Sequence, residues 1–301
     1  MLGRKNRLLL LKVFSLFSVV RGYNILMVVL AQYLASIYIL AHQLPVREVI
    51  FDLNLFIIVV SSALVIASGY IINNFYDAEK DLINKPRKSM IDRFVGQQFK
   101  LTTYFILNFL AVIAASYVSF KAVFFFSAYI FGIWIYSHKL KRLPFIGNFV
   151  SATLAIAPFF AVFVYYKNFE NVIFVHAMFL FLLILAREMI KDLENLKGDL
   201  VQNYKTIPIL YGGAVSKVLI STLILFTLIP SLLLILKFDV GYMNYYFMAC
   251  VVLLILFLVL LVRSKSKKDY VWLHNILKLI IIVGVFSILL IDVDLVLNRI
   301  L

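Results

Sequence analysis

DLNLFIIVVSSALVIASGYIINNFYDAEKD, residues 52–81, decides how this chain folds. Its apolar run over 52–74 has the length that a helix needs to cross a bilayer core, about 20 residues. It then turns polar within a few positions, at Asn73, Asp77, Glu79, Lys80 and Asp81. Eight further runs of this kind lie at 22–41, 101–118, 121–137, 145–166, 171–190, 214–236, 242–262 and 272–296. The expected fold is all-α: a polytopic membrane protein of nine transmembrane helices around a central cavity, one domain over 1–301. Composition agrees. The 301 residues are 64% hydrophobic and 15% charged, against about 45–50% and about 25% in soluble domains, which excludes a soluble enzyme. Six Pro and eleven Gly exclude a fibrous or disordered chain. The single cysteine, Cys250, excludes an internal disulfide and offers no metal–thiolate set.

Basic residues give the topology. With nine spans, 24 of the 29 Lys and Arg fall on the side of the N-terminus and of the 2–3, 4–5, 6–7 and 8–9 loops. The other five, Arg47, Lys121, Lys167, Lys237 and Arg299, fall on the opposite side. Cytoplasmic loops carry the positive excess, so the N-terminus and these loops are expected in the cytoplasm and the C-terminus across the cell membrane. The formal charge of +14 then reflects loops and anionic lipid, and no nucleic-acid partner is expected. Residues 1–20 are basic, amphipathic and without a cleavage site, as in a surface-lying helix.

The acids are the informative minority. Asn73, Asp77 and Asp81 are spaced i, i+4, i+8, and Glu188, Asp192, Asn195 and Asp199 are spaced 4, 3, 4. Each set makes one stripe on a helix, at the cytoplasmic end of spans 2 and 6. Like charges one turn apart repel, and ionisable groups at membrane depth are costly and tend to be functional. Two facing stripes suit Mg²⁺, a hard cation usually held by a few carboxylates together with substrate phosphates. Cations for phosphate oxygens are at hand in loop 2–3 (Asn84, Lys85, Arg87, Lys88), loop 4–5 (Tyr136, Lys139, Lys141, Arg142) and loop 6–7 (Lys205). Solvated polar loops are the plainer reading of either cluster alone. The four histidines, 42, 138, 176 and 274, share no ligand spacing, and Asp292 and Asp294 read as interface residues at the far end of span 9.

Asn73-x-x-x-Asp77-x-x-x-Asp81 resembles the first signature of the UbiA-type intramembrane prenyltransferases. Asp192…Asn195-x-x-x-Asp199, followed by Lys205-Thr206-Ile207-Pro208 and Gly212, resembles the second. Arg21-x-x-Asn24 and Tyr136-Ser137-x-x-Leu140-Lys141-Arg142 are further family-like points, and the likeness covers essentially the whole chain. It implies Mg²⁺-dependent transfer of a polyprenyl group from its diphosphate to a membrane-soluble acceptor. It assigns metal or diphosphate binding to Asn73, Asp77, Asp81, Asp192 and Asp199, and diphosphate contact to Lys141 and Arg142 and then to Arg87, Tyr136 and Lys139. Asn195 stands where the family usually has Asp; its amide oxygen can ligate a hard cation but brings no charge.

Within that family, Arg187-Glu188-x-x-Lys191-Asp192-x-Glu194 and the Tyr23-Asn24 opening of span 1 are most similar to the branch that attaches geranylgeranyl to geranylgeranylglyceryl phosphate, forming an ether bond. Arg21 is the expected partner of the acceptor phosphate. Two rivals stay open. One is an aromatic acceptor of quinone synthesis. The other is a transporter, which would place its ionisable groups near the bilayer midplane.

Overall fold

The computed structural model describes residues 15–293. Nine of its described helices are long and apolar enough to span a membrane, and no strand occurs among the described residues. The helices are α1 Gly22–Leu40, α2 Leu53–Tyr76, α3 Gln97–Val118, α4 Phe120–His138, α5 Ile146–Tyr166, α6 Asn171–Glu194, α7 Ile207–Leu236, α8 Met243–Arg263 and α9 Lys267–Leu290. Short helices cover Ala78–Asn84 and Pro86–Asp92 between α2 and α3, and Leu196–Val201 between α6 and α7. The expected surface helix over 1–20 falls mostly outside the described residues, where 15–20 are helical. Asp294 and Arg299 also lie outside them.

All nine expected spans are present, several with ends shifted by four to seven residues. Helix α7 starts at Ile207, not 214, because Pro208 is well placed in a first turn, where no backbone donor is needed. Its helical geometry breaks at Gly212 (φ 82°, ψ 167°), a conformation open to a residue without Cβ. Helix α6 runs on to Glu194, so Asp192 is still on it, and α9 ends at Leu290, not 296.

The core divides into two large clusters and a small third one of Val19, Ile71, Ile72 and Tyr104. Leu183, Ile190, Ile220, Leu254, Phe257 and Leu277 join α6 to α9. Leu55, Ile58, Val65, Ala111, Phe126 and Val162 join α2 to α5, and α1 contacts both halves, through Leu34 and Leu40. Lipid is as apolar as a leucine side chain, so small residues and polar bridges hold such helices together. Ala111 and Ala115 of α3 are fully buried, and Ser68 of α2 donates to Asn108 of α3 at 2.6 Å. Pro158 inside α5 cannot donate to the Leu154 carbonyl; the Tyr129 hydroxyl of α4 donates to it instead, at 3.0 Å. At the end opposite the acidic signatures, Asp52 caps α2 through Asn54 N at 2.9 Å and accepts from Tyr165 of α5 at 2.7 Å. Each half of the bundle therefore presents one signature at the same end.

Candidate active site

Both signatures sit on the same local construction. Helix α2 ends at Tyr76, and Asp77 (φ −92°, ψ 5°) joins it to Ala78–Asn84. The helical ladder still crosses the joint, from Asp77 N to Asn73 O at 2.9 Å and from Asp81 N to Asp77 O at 2.8 Å. Helix α6 ends at Glu194, and Asn195 (φ −98°, ψ 9°) joins it to Leu196–Val201. The bonds Asn195 N to Lys191 O and Asp199 N to Asn195 O measure 3.0 and 3.1 Å. A tilt at each joint leaves the polar stripe continuous while the short helix turns over the membrane end.

The two stripes are tied crosswise. Lys80, three residues after Asp77, ion-pairs with Asp199 of the second signature. Tyr204, five residues after Asp199, donates its hydroxyl to Asp77 of the first at 3.2 Å. Lys141 enters from the short 3₁₀ turn Leu140–Arg142. Its Nζ is 2.6 Å from Asp77 Oδ1 and 3.3 Å from Asn73 Oδ1. Asp192 Oδ2 accepts from Asn148 Nδ2 of α5 at 2.7 Å. Lys80 and Arg142 both lie over the Tyr204 ring, at 4.5 and 5.2 Å, a geometry that holds cations at an aromatic face.

Electrostatics set the charge states. Burial pushes the Asp77 carboxyl up, but Lys141 and Lys80 and the Lys141 hydrogen bond outweigh it and hold the pKa below the ordinary value. Burial pulls the Lys141 ammonium down, with Asp77 opposing. The Asp199 carboxyl is raised by burial, with Lys80 opposing and Asp77 adding. Asp77 and Asp199 thus feel each other across the gap. Burial and then Asp77 push the Tyr204 phenol up, so it stays protonated and donates.

The remaining expected residues are placed unevenly. Arg21, in a left-handed conformation at φ 51°, lies over the Tyr70 ring at 5.0 Å, and Asn24 donates to the Tyr70 hydroxyl at 3.0 Å. Tyr136 lies near Ser151, Lys191, Glu188 and Asp192. Asp81 does not join the Asp77 group. It lines a cavity of about 830 Å³ between loops 2–3 and 6–7, shared with Arg142, Asn74 and Lys100. Arg87, Lys139 and Lys205 are exposed, although Lys205 N donates to the Arg142 carbonyl at 2.9 Å. Glu188, read as part of the second stripe, is engaged by Lys191 at 2.7 Å and Arg187 at 3.2 Å.

Sequence reasoning missed Lys80, Tyr204 and Asn148. Lys80 carried a signal, since it is the one cation inside the first acidic run. Tyr204 and Asn148 carried none, because their partners are distant in the chain.

The donor set suits Mg²⁺. Among the described residues no three His, Cys, Asp or Glu close on one point as an all-protein metal cage. Mg²⁺ does not need one, because it takes one or two carboxylates plus phosphate oxygens and water. The oxygens are free for it: Asn195 Oδ1 and Asp199 Oδ2 are buried with no hydrogen-bond partner. Asp77, Asp199 and Asn195, with Asn73 and Asp192, would hold the ion; Lys141 and Lys80 are the internal cations that balance the same carboxylates.

At the opposite end of the bundle lies an apolar cavity of about 240 Å³ between α1, α5, α6, α8 and α9. Its rings include Phe159, Phe160, Phe163, Phe174, Phe179 and Phe247.

Residues 28–282 match the UbiA prenyltransferase family. The chain is 31% identical to a digeranylgeranylglyceryl phosphate synthase of Thermococcus sibiricus, over 91% of this chain and 95% of that one. It is 28% identical to the enzyme of the same name from Methanobrevibacter smithii, over 83% and 88%. Among solved structures it is similar to a digeranylgeranylglyceryl phosphate synthase, with a TM-score of 0.70 at 22% identity, covering 92% of this chain and 97% of that one. It is also similar to a UbiA homolog from Archaeoglobus fulgidus bound to GPP and Mg²⁺, with a TM-score of 0.64 at 13% identity, covering 91% and 99%. At these identities the structural matches speak for the fold.

Proposed function

We propose that this chain, which belongs to the UbiA prenyltransferase family, transfers a geranylgeranyl group from its diphosphate to geranylgeranylglyceryl phosphate and forms an ether bond. The observation that carries the reading is the crossed pairing of Lys80 with Asp199 and of Tyr204 with Asp77, which supports one shared anion-and-metal site between the two signatures. The relatives named digeranylgeranylglyceryl phosphate synthase support the acceptor.

When bound, Mg²⁺ supplies positive charge against the departing diphosphate. The chain supplies the rest. Asn73, Asp77, Asp192, Asn195 and Asp199 are the residues assigned to the metal and its diphosphate, with Asp77 and Asp199 central, while Asp81 faces the wide cavity beside them. Lys141 and Arg142 take up the charge that develops on the diphosphate as the allylic C–O bond breaks, and Arg87, Tyr136, Lys139 and Lys205 hold its outer face. Water is kept from the resulting carbocation by the short helices over the site. The acceptor hydroxyl attacks, and its proton goes to a carboxylate of the two signatures.

The acceptor phosphate has its own cations. Burial lowers the pKa of Lys85 and of Lys88, with Lys191 and Arg21 adding at Lys85 and Arg21 at Lys88, while Asp81 and Glu194 oppose it at Lys85 and Asp92 and Asp81 at Lys88. An anion seated among these cations relieves both the burial cost and the repulsion. Asn24 helps by fixing Tyr70 beneath Arg21. The 24-to-5 division of Lys and Arg supports the cell membrane, with the site at the cytoplasmic face and the C-terminus across it.

The test supplies membranes containing the protein with geranylgeranyl diphosphate, Mg²⁺ and one acceptor at a time. Diphosphate release that depends on geranylgeranylglyceryl phosphate is expected. Release with a benzoate or naphthoate ring alone would overturn the acceptor assignment.

A further inference from the structure

The two carboxylate rows come from halves of the bundle with separate cores, so something must fix the gap between them. Lys80–Asp199 and Tyr204–Asp77 cannot do this alone. They use the same carboxylates that the diphosphate and its cation need, and they must yield or rearrange when those bind. We propose that Asn84 is the positioning residue that sets this gap. The proposal rests on the reading that the facing carboxylates hold Mg²⁺ and a diphosphate.

Asn84 ends the short helix that continues the first signature, and its side chain is used in full against the second. Its Nδ2 donates to the Asn195 carbonyl at 3.2 Å and its Oδ1 accepts from Gly198 N at 3.2 Å. The two bonds bridge a carbonyl and an N–H that also pair with each other across the Asn195–Gly198 turn, at 3.1 Å. The Asn84 amide grips the one turn that carries Asn195 at its start and Asp199 just beyond its end, and it touches no metal-facing oxygen. The approach is close enough to dictate the neighbour. A Cβ on Gly198 would lie 2.3 Å from Asn84 Nδ2 and 2.9 Å from its Oδ1, so the glycine is required by contact, not by backbone angle. The Asn84 carbonyl also accepts from Lys267 Nζ at the start of α9, at 3.1 Å. One residue thus joins the first signature, the second and the last span. Asn84 is 7% exposed, so these bonds are formed away from water, where they are strongest.

The role differs from that of a phosphate contact, which a polar residue of loop 2–3 would otherwise suggest. It acts through Asn195 and Asp199, and loss of the amide should weaken ion binding more than it weakens the fold.

The experiment uses the full chain in detergent and follows thermal unfolding while MgCl₂ is titrated in the presence of inorganic pyrophosphate. The parent protein should be stabilised with a defined Mg²⁺ midpoint. Asn84→Ala should raise that midpoint at least fivefold, beyond any change in the melting temperature without Mg²⁺. Gly198→Ala, which pushes the amide away, should raise it similarly. The double variant should be no worse than Asn84→Ala, because the added methyl then has room; neighbouring sites that share one interaction show such non-additivity. An unchanged midpoint in Asn84→Ala, or strictly additive single effects, would overturn the assignment. Should Asn84→Ala fail to fold, Gly198→Ala decides by itself: an unchanged Mg²⁺ midpoint there would overturn the assignment. If the parent itself shows no Mg²⁺-dependent shift, the metal-site reading fails and the assignment of Asn84 falls with it; a shift in the parent that the variants leave unchanged overturns the role of Asn84 alone.

Discussion

Lys141→Met isolates the balance of charge at Asp77. Lys141 Nζ stands 2.6 Å from Asp77 Oδ1, with side-chain exposures of 6% and 13%. Removing the cation leaves a nearly buried carboxylate with the Tyr204 hydroxyl as its remaining close donor. Breaking a buried pair on one side costs about 3–5 kcal/mol. The surviving hydroxyl places this case near 3 kcal/mol, by about the net value of one hydrogen bond to a charged group. At roughly 2–4 °C per kcal/mol for a chain of this order of size, the melting temperature should fall by about 6–12 °C.

The sign of the pH dependence follows from the pKa. In the parent protein Asp77 lies below its ordinary value. Its contribution is therefore present above the unfolded carboxyl pKa, about 3.9, and is lost as pH falls through the depressed folded value. In the variant, burial acts without Lys141 and the folded pKa rises, so the carboxyl protonates earlier and its cost disappears. The deficit should be largest near neutral pH and should shrink toward about pH 4. Mg²⁺ with pyrophosphate should restore more stability to the variant than to the parent, because a ligand that binds only the folded state stabilises it and here also replaces the missing charge. The assay is thermal unfolding in detergent at several pH values, with Asp77→Asn and the double variant completing a cycle. A deficit that does not change with pH, or additivity of the two single effects, would refute this account of the site.

Asp77→Ala and Asp199→Ala should each lower turnover by a factor of at least about 10³, as expected when electrostatic stabilisation of a leaving group is removed, while the detergent-extracted protein remains monodisperse; near-parent rates in either would misplace the metal. Arg21→Ala should raise the KM for the phosphate-bearing acceptor by about 10–100-fold, the equivalent of a charge-assisted hydrogen bond, and leave the KM for the prenyl diphosphate within about twofold, read from steady-state kinetics in both substrates. Tyr129→Phe should lower stability by about 1–3 kcal/mol, because it orphans the Leu154 carbonyl freed by Pro158; a melting temperature unchanged within about 1 °C would show that water or a neighbour already serves that carbonyl.

Much of this was legible in the residues themselves. Hydropathy is a local property, so each of the nine spans could be found without reference to any other. Helical periodicity put Asn73, Asp77 and Asp81 on one stripe and Asp192, Asn195 and Asp199 on another, and the bonds across both joints keep those stripes continuous. What the stripes meet was not legible. Tyr204 and Asp77 are 127 positions apart, Asn84 and Gly198 are 114, and Asn148 and Asp192 are 44. No spacing rule connects such pairs; they meet because two separately packed halves place their polar ends at the same membrane face. The same packing parted residues that spacing had grouped: Asp81 turned to the wide cavity and Glu188 to Arg187 and Lys191. Sequence alone determined the apolar spans and where along them the carboxylates fall, since these depend on neighbours within a few residues. The tertiary structure decided which cation answers each carboxylate, since that depends on distance through space between segments that the chain order leaves unrelated.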